Sequence, residues 1–587
     1  MTLSRFPFFL LVFPFCLAGQ TSTWRPVYLG MDGMVATGHY STAMAGYRML
    51  AQGGNAVDAA VAAAFASTVV EPSRAGIGGD LFILIYQASS GEVKFINGAG
   101  WSPRRATLEM FSKRGELPRE GALAALVPGA VDGLLLAARR YGRLSPERLL
   151  APAIELAGRG FPVSENLQGV IRNNDARLRP FLPLLGLWRR GEDWVRMGDV
   201  VVQKDLANTF QAIALSGRDG FYQGPVAQRL VRFLEKDGGI LEPADLAEFA
   251  AHEDAPLHIR YKDYDLYGCP PNSHGHVMLQ ALNILEGFDL KAMGHNSPAY
   301  LHHVTEALKL AFADREAFVG DPRFVKDIPM RQMLSKEYAA RRRALIRPDR
   351  AMDGPAPPGD PRAPSAYRAT PPSYRAAAGS IEVLSGRAAY PDWIDGYTTY
   401  YSAIDRDRNM VSITSTIWSD FGNCMYVDGG YFLNNRLGLF YLDPKDPNAL
   451  SPRRRPRQTL NPVLVMKGGK PLMVFGTPGG DTMPQSQLQF FLNFAEFGMN
   501  VQQAVEQPYV VSSAFRGALW PHPVANRLAV SERLEETVRR ELARRGHNVT
   551  THAAKGVGSV KAILIDPRTG VLMGAAAPAT DSYAIGW

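Results

Sequence analysis

The chain has 587 residues, of which 46% are hydrophobic and 20% are charged, and a net charge of +8 gives it a pI near 9.2. This composition is typical of a globular protein, and the length suits one very large domain or several smaller ones. The basic excess is spread along the sequence without a recognisable nucleic-acid-binding motif, so nucleic acid is excluded as an expected partner.

Residues 1–19, MTLSRFPFFLLVFPFCLAG, have the pattern of a secretory signal peptide. One early positive charge precedes an apolar run that ends at Leu17, and the small residues Ala18 and Gly19 supply a cleavage site. The alternative is a buried N-terminal helix, against which two prolines inside the run argue. The run is too short for a bilayer, and no later stretch reaches about 18 apolar residues. We therefore expect an exported protein, periplasmic or extracellular, with no stable membrane span.

Residues 24–347 have the pattern of a mixed α/β region that would form the core of a first part of the molecule. Hydrophobic periodicity and capping residues predict its clearest elements, which are a helix at 53–70, a strand at 80–87 and helices at 145–160 and 297–318. The last helix has an apolar stripe that includes Leu301, Val304 and Leu308. The glycine-rich AGIGGD before the strand predicts a tight turn that lets backbone approach closely.

Residues 348–397 are dense in Pro, Ala and Arg, which predicts a flexible linker. From residue 398 to the C-terminus at 587 the pattern is that of β-structure. The predicted strands cover 398–405, 409–417, 461–469 and 470–478, and a hairpin covers 560–578. Two structured parts therefore flank a segment that buries little.

Familiar catalytic signatures such as GxSxG, HExxH and the Walker A motif are absent. A serine hydrolase based on Ser273 with His274 or His276 would lack the strand–turn–helix elbow. His302 and Glu306 lie one helical turn apart and could form half of a metal site, but no third ligand is evident. We favour a structural role for this pair and predict neither a metal nor a cofactor.

Cys269 and Cys424 are the cysteines that remain once the signal peptide is removed. One possible pair does not make a disulfide framework. The sequence leaves open whether they form a bridge or stay as buried thiols.

The stretch GYTTYYSAID, residues 396–405, places Thr398 and Thr399 at the start of a strand directly after the linker. Threonine is β-branched and suits a strand, which is the structural explanation. The chemical explanation is a cut between Tyr397 and Thr398. The freed α-amino group, with a pKa of about 8, could then accept the proton of the Thr398 hydroxyl.

A threonine nucleophile also needs donors for the oxyanion that forms when it attacks a carbonyl. FGTPGGD follows a predicted strand and offers the backbone amides of Gly479 and Gly480, where no side chain blocks approach. These two residues are the predicted oxyanion hole.

DGYTTYYSAIDRDRNMVSITSTI, FGTPGGD, GGNAVDAAVAAAFA and LVPGAVDGLLLAARRYGRLS resemble the γ-glutamyltranspeptidase (glutathione hydrolase) family of N-terminal nucleophile hydrolases. The forms NGAGWSP and TLNP resemble its divergent branch of oxamate amidohydrolase and cephalosporin-acylase-like members. The resemblance implies an α+β fold, a four-layer αββα sandwich. It also implies a proenzyme that cleaves itself between Tyr397 and Thr398 into a large subunit and a small subunit of residues 398–587.

The resemblance assigns roles to residues that match the motifs of the family. Thr398 matches the nucleophile, and Thr416 matches a second threonine that hydrogen-bonds to it and assists processing. Gly479 and Gly480 match the oxyanion pair. Asn434 and Asn435 match paired asparagines, which we expect to support the site.

The residues that bind the α-carboxylate of a γ-glutamyl group differ from the family pattern. Ala99 stands where an arginine would clamp that carboxylate. Gln458 and Thr459 replace a pair of serines that also bind it. Losing a bidentate arginine–carboxylate contact should cost about 1.5 to 3 kcal/mol of binding free energy.

The residues that bind the substrate ammonium differ as well. Trp418 replaces an asparagine, Leu439 replaces the acidic partner of the ammonium, and Arg436 replaces a glutamine. Arg436, or Arg455 and Arg457, could supply a new anion clamp; the alternative is that they are solvated surface arginines.

Three functions remain open from the sequence. The first is an autoprocessed glutathione hydrolase or γ-glutamyl acyltransferase that cleaves an amide through a threonine acyl-enzyme. The second is an amidohydrolase of the same family acting on a non-γ-glutamyl small amide, of the oxamate or glutaryl type. The third is a non-catalytic secreted binding protein, which the retained Thr398, Thr416 and glycine pair argue against.

Overall fold

The computed structural model describes residues 23–363, 381–382, 397–553 and 558–587. The predicted signal peptide lies outside the described residues, as does most of the predicted linker. The helices are α1 (Tyr40–Ala51), α2 (Ala56–Val70), α3 (Leu108–Arg114), α4 (Ala130–Tyr141), α5 (Pro146–Arg159), α6 (Glu165–Asn173), α7 (Asp175–Leu178), α8 (Lys204–Ser216), α9 (Asp219–Tyr222), α10 (Gly224–Glu235), α11 (Pro243–Ala247), α12 (His276–Leu285), α13 (Leu290–Met293), α14 (Pro298–Phe318), α15 (Met330–Met333), α16 (Lys336–Arg343), α17 (Met483–Ala495), α18 (Val501–Val505) and α19 (Glu536–Arg544).

The strands form two seven-stranded antiparallel sheets and several smaller ones. They are β1 (Tyr28–Gly30), β2 (Met34–Thr37), β3 (Asp80–Gln87), β4 (Glu92–Gly98), β5 (Phe161–Pro162), β6 (Arg189–Arg190), β7 (Asp193–Trp194), β8 (Val200–Val201), β9 (His252–Asp254), β10 (Leu257–Tyr261), β11 (Tyr264–Gly268), β12 (Ile381–Glu382), β13 (Tyr397–Ile404), β14 (Met410–Trp418), β15 (Tyr426–Val427), β16 (Tyr431–Phe432), β17 (Val463–Lys467), β18 (Lys470–Gly476), β19 (Val510–Ser512), β20 (Leu528–Ser531), β21 (Val549–His552), β22 (Lys561–Ile565), β23 (Leu572–Ala576) and β24 (Tyr583–Gly586). The large sheets have the orders β1-β23-β22-β18-β17-β11-β10 and β24-β2-β13-β14-β3-β4-β9.

The predicted helices form, and two of them begin directly after Ser145 and Ser297, the serines predicted to precede them. Asn55 begins α2 with a capping box that includes Asp58, and Ser145 precedes α5. Ser297 accepts a hydrogen bond from the backbone of Tyr300 at the start of α14. The predicted strands also form, and their ends agree with the prediction to within two residues.

The predicted apolar stripe of α14 is buried, and so are its other faces, because all residues from Tyr300 to Arg315 are buried. Its polar side chains are accommodated by hydrogen bonds and ion pairs, for example between Lys309 and Glu306 at 2.8 Å.

The two large sheets lie face to face between two layers of helices. Along β3, Leu81 and Ile83 pack in a cluster with α2, α4 and α5, whereas Phe82 and Leu84 pack in a cluster shared with the other sheet. Successive strand residues point to opposite faces, so β3 is covered on both sides. Helices α12, α14 and α17 cover the outer face of the other sheet. This is the α+β, four-layer αββα sandwich that the resemblance implies.

One sheet contains strands from both parts of the chain, and two strands of the second part lie between strands of the first. β13 and β14 lie side by side, with β2 next to β13 and β3 next to β14. Tyr401 and Ala403 of β13 face the helix layer. Thr398 and Tyr400, at the alternate positions, therefore face the space between the two sheets.

The beginning of the predicted linker packs on the core. Ala351 and Met352 are buried, and the backbone N–H of Met352 donates to Glu306 at 2.8 Å. Among the helices of the described residues, none combines the length and the apolar content that a bilayer crossing needs.

Candidate active site

The peptide bond between Tyr397 and Thr398 lies at the start of β13, and Thr398 is buried. The hydroxyl of Thr416 donates to the carbonyl oxygen of Tyr397 at 2.6 Å and accepts from the backbone N–H of Trp418 at 2.7 Å. A donor on a carbonyl oxygen stabilises the negative charge that develops there when a nucleophile attacks the carbon. Thr416 thus polarises the carbonyl group of the bond that the sequence predicts to be cut.

A register shift between β13 and β14 occurs at the same place. Tyr397 pairs with Trp418 and Thr399 pairs with Ser415, so two residues of β14 oppose Thr398 alone. A β-bulge of this kind bends the strand and re-aims a side chain. It turns the Thr416 hydroxyl toward the Tyr397 carbonyl.

The glycine-rich turn before β3 packs directly against this bulge. A Cβ on Gly79 would lie 2.3 Å from the carbonyl oxygen of Thr416, so only glycine fits. The prediction of a turn that allows close backbone approach is confirmed.

Replacing Thr416 with valine should slow cleavage before Thr398 by about 10²–10³-fold, which is the effect of removing one oxyanion-type donor. Thr416→Ser keeps the hydroxyl and should cleave at a rate close to that of the unaltered chain. The half-life of the full-length band on a denaturing gel measures both rates. Equal rates for the valine and serine variants would contradict the role of the hydroxyl.

Gly479 and Gly480 follow β18 and adopt φ angles of 129° and 53°, which other residues rarely adopt. Both residues are buried, and within the described residues neither backbone N–H has a hydrogen-bond acceptor. A buried unpaired N–H is costly, so two in succession indicate a site for an anionic oxygen.

The glycine pair lies at the Thr398 end of the sheets. Asp481, the next residue, is 3.7 Å from the His274 ring, and the His274 backbone N–H donates to the carbonyl of Gln458. The Gln458 side chain in turn contacts Asp80, which pairs with Thr416 across the sheet.

Asp481 anchors the glycine pair to α14. Arg315 forms an ion pair with Asp481 and another with Glu316, and Glu316 also binds Arg457 at 2.8 Å. Burial alone would raise the pKa of Asp481, but the positive charge of Arg315 and the contact with His274 outweigh it and hold the pKa well below its usual range. The carboxylate is therefore charged at all ordinary pH values and fixes the backbone of Gly480.

Asp481→Asn should lower kcat by about 10-fold or more while KM changes little, because a looser glycine pair stabilises the transition state less. Glu541→Gln, which weakens an ion pair on the distant helix α19, is the matched control and should leave kcat unchanged. A rise in KM at constant kcat would assign Asp481 to ground-state binding instead.

Asp80 organises the predicted substrate-binding residues. Its carboxylate lies 3.0 Å from Nε of Arg436, accepts from the Gln458 side chain at 3.2 Å and accepts from the backbone of Gly100 at 2.8 Å. Arg436 also lies over the ring of Trp418, 5.5 Å from its centroid. Ala99, which replaces the carboxylate-binding arginine of the family, directly precedes Gly100. It is therefore close to Arg436 and Trp418, which replace residues on the ammonium side of the family's pocket.

Thr459 and Leu439 lie beside this cluster. The Thr459 hydroxyl is buried and has no hydrogen-bond partner among the described residues. Leu439 packs with Trp418 and Leu519 in a small apolar cluster. The position of the family's acidic residue is therefore part of an apolar wall.

The three candidate arginines are all buried, so the alternative of solvated surface side chains is wrong. Arg455 donates to the carbonyls of Ala99 and Ala250, and Arg457 binds Glu316. Arg436 differs, because within the described residues its two Nη atoms have no acceptor. Burial lowers the pKa of Arg436 to about 10 although Asp80 opposes the shift, so the side chain remains charged at neutral pH.

The sequence did not point to Asp80. It was interpreted as the first residue of a buried strand, and its ionic partner lies in the other part of the chain. The available signal was an acidic residue at the head of an otherwise apolar strand, since a fully buried carboxylate needs a partner.

The paired asparagines cross-link the loops around the site. Asn434 binds the backbone of Gly78 and of Leu126, and Asn435 binds the backbone of Arg119 and the side chain of Ser419. These contacts support the expectation that they hold the site in shape.

His302 and Glu306 acquire a third neighbour in His547, whose ring nitrogen lies 2.9 Å from that of His302. The ammonium of Lys309 lies 2.8 Å from Glu306 and already supplies positive charge there. Burial lowers the pKa of His302 to about 4, and its other nitrogen bonds to the carbonyl of Arg347. These contacts favour the structural role.

Ser273 is buried and its hydroxyl donates to the carbonyl of Leu460 at 2.7 Å. In the described part of the chain, neither His274 nor His276 hydrogen-bonds to that hydroxyl, which argues against a serine hydrolase. Cys269 and Cys424 are both buried free thiols.

Comparisons with known proteins agree with this geometry. The family model of gamma-glutamyltranspeptidase matches residues 42–587. The chain is 34% identical to the glutathione hydrolase-like YwrD proenzyme of Bacillus subtilis over 95% of its own length and 99% of that protein. It is also 34% identical to the acylase ACY 1 proenzyme of Pseudomonas sp. strain SE83, over 93% and 92% of the two chains.

Solved structures give the same result. The cephalosporin acylase of Bacillus halodurans superposes with a TM-score of 0.84 at 31% identity over 99% of both chains. The γ-glutamyltranspeptidase of Helicobacter pylori covers 55% of this chain and 93% of its own, with a TM-score of 0.52 and 34% identity. The matched relatives are enzymes made as proenzymes, so the chain belongs to the γ-glutamyltranspeptidase family and is an autoprocessed amidohydrolase or acyltransferase of that family.

Proposed function

We propose that Thr398 is the nucleophile and that the precursor is cut before it. The Thr398 hydroxyl attacks the Tyr397 carbonyl, the C–N bond breaks as the nitrogen takes a proton, and water hydrolyses the resulting ester. The new α-amine then serves as the base for the same hydroxyl. This assigns the large subunit to residues before 398 and the small subunit to 398–587.

In the mature enzyme, Thr398 attacks the carbonyl of a small amide. The Gly479 and Gly480 amides receive the oxyanion, since they are buried and have no other acceptor among the described residues. The amine leaves with a proton, and water or another amine then releases the acyl group from the Thr398 oxygen. In the uncut chain the Thr416 hydroxyl donates to the Tyr397 carbonyl and not to the Thr398 hydroxyl as expected. The cut removes that acceptor, and Thr416 then donates to the Thr398 hydroxyl.

The preferred acyl group carries a carboxylate and no ammonium. The observation that carries this proposal is Arg436, whose two Nη atoms are buried without an acceptor in the described residues beside Trp418. Asp80 balances one charge at Nε and leaves the outer edge of the guanidinium for an anionic group. Where the family binds the ammonium, Leu439 and Trp418 form an apolar contact instead.

A γ-glutamyl substrate such as glutathione is the second candidate, because relatives carry the name glutathione hydrolase. Its ammonium would need an acidic partner. Asp80 lies close, but it is already paired with Arg436. We therefore place glutathione below a glutaryl-type amide.

Glutaryl-p-nitroanilide should be hydrolysed with a kcat/KM about 10- to 150-fold above that of γ-glutamyl-p-nitroanilide, because both acyl groups carry the same carboxylate and only the γ-glutamyl group brings an ammonium that would be buried without an acidic partner. Release of p-nitroaniline measures the hydrolysis of both anilides. Two further amides are controls: oxamate, which carries a different acid, and valeryl-p-nitroanilide, whose acyl group carries none. A preference for the γ-glutamyl compound would overturn the acyl assignment and favour the second candidate.

Export remains part of the proposal, through removal of residues 1–19. N-terminal sequencing of protein recovered outside the cytoplasm should begin near residue 20. Recovery of the intact N-terminus would contradict it.

A further inference from the structure

A cavity of about 130 Å³ opens beside the glycine pair, at Gly479 and Asp481. Its outer walls come from residues 512–525. The apolar residues among them include Phe515, Leu519, Trp520, Pro521, Pro523 and Ala525. Of the described residues that line it, none belongs to the Asp80 cluster. Leu519 packs on Trp418 and Leu439, so its side chain stands between the cavity and that cluster. The cavity is therefore a second compartment beside the oxyanion site.

The size of the cavity suits one ring. Apolar cavities of about 150 Å³ bind a molecule such as benzene and do not fill with water. The polar lining consists of Asp481, Thr482 and Gln485, which follow the glycine pair in the chain, together with Arg119, Ser512 and Ser513. A ligand with one polar end and one ring-sized apolar end would match both regions.

The walls are held in place before any ligand binds. Phe515 stacks on Phe312 with centroids 3.7 Å apart, and the Arg315 guanidinium lies over both rings. The backbone N–H of Trp520 donates to the carbonyl of Gly438 at 2.8 Å, and the His522 ring bonds to two backbone carbonyls. A preformed cavity binds without an ordering cost.

We infer that this cavity binds the amine half of the amide substrate, and that the preferred amine carries one aromatic or similarly sized apolar ring. The inference rests on the proposed function, in which the acyl half extends from the glycine pair toward Arg436. The amine half then occupies the other compartment that meets the glycine pair. After acylation the protonated amine leaves this cavity, which lets water reach the ester.

A series of amides that share one acyl group and differ in the amine tests this inference. The acyl group is the one hydrolysed best in the comparison of acyl groups above. We expect benzylamide to exceed the primary amide in kcat/KM by about 10- to 200-fold, the range over which apolar pockets discriminate. A two-ring naphthylmethylamide should lose most of that gain.

Ala525→Phe fills the cavity from its wall and should lower the ratio of kcat/KM for the benzylamide to kcat/KM for the primary amide by at least about 10-fold. Val524→Phe is the matched control, because Val524 is 41% exposed and does not line the cavity. Leu519→Ala enlarges the cavity and should shift the preference toward the two-ring amine. Melting temperatures of the variants show whether each is folded.

Deacylation identifies the half of the substrate that the cavity holds. The amine has left before this step, so the hydrolysis rate of the acyl-enzyme should be equal in Ala525→Phe and the unaltered enzyme. A changed deacylation rate would assign the cavity to the acyl half, and an unchanged amine preference would refute the subsite; both overturn the inference. Mass spectrometry of the same samples tests the proposed function separately, since an acyl adduct on the 398–587 fragment shows that it holds. Absence of that adduct with every amide would overturn both the proposed function and the inference.

Discussion

Thr398→Ala should leave the precursor as one uncut chain and reduce amide hydrolysis to background. The alanine has no hydroxyl to attack the Tyr397 carbonyl, so neither the cut nor the nucleophile with its adjacent α-amine can form. We expect a loss of at least about 10⁴-fold in kcat, comparable with removal of a nucleophile in other hydrolases. A denaturing gel and intact-mass measurement distinguish one fragment from two.

Two variants control this experiment. Thr398→Ser keeps a hydroxyl and should still be cut, at a reduced rate. Thr399→Val alters the neighbouring threonine, which points to the helix layer and donates to Glu71 at 3.0 Å. It should lose about 1 to 3 kcal/mol of stability, because Glu71 is left without a donor, yet still be cut before Thr398. Cleavage of the Thr398→Ala chain at the same bond would refute the mechanism.

Arg436→Gln should destabilise the protein by about 3 to 5 kcal/mol, because it leaves the Asp80 carboxylate buried without its ionic partner. The double variant Asp80→Asn/Arg436→Gln removes both charges and should recover most of that stability. Chemical denaturation of the three proteins measures the difference.

The folded double variant then isolates recognition of the substrate. It should lose about 10- to 150-fold in kcat/KM for glutaryl-p-nitroanilide, since the acyl carboxylate has lost its charged donor. Valeryl-p-nitroanilide has the same chain length without the carboxylate and should be little affected. Equal losses on both substrates would show that Arg436 acts only through folding.

Local signals were enough to predict the clearest elements, whereas most of the candidate site residues came from the family resemblance. Ser145 and Ser297 indicated the starts of two helices that the structure contains, since capping depends on residues a few positions apart. Thr398 at a strand start and the Gly479–Gly480 pair stood out for the same reason. The four-layer sandwich was implied by the resemblance and not by periodicity, and the order of the strands in the two sheets was not predicted.

Long-range charges and cavity walls were beyond the sequence. Arg436 could be named as an anion clamp, but whether it is buried or exposed depends on Asp80 and Trp418, which are distant in the chain. His547 joins His302 in the same way. The segment around Leu519 has no periodic pattern, so its role as the wall of a cavity appears only once Gly438 and Trp418 are placed beside it.

The position of β13 and β14 between β2 and β3 has a consequence for the lifetime of the mature enzyme. After the proposed cut, β13 and β14 belong to one polypeptide and their two neighbours to the other. Neither polypeptide can leave without opening that sheet. Once the sheet opens, however, the two polypeptides are free to diffuse apart. Denaturation then becomes a dissociation whose reversal depends on protein concentration, and the durability of the enzyme is set by how slowly it opens.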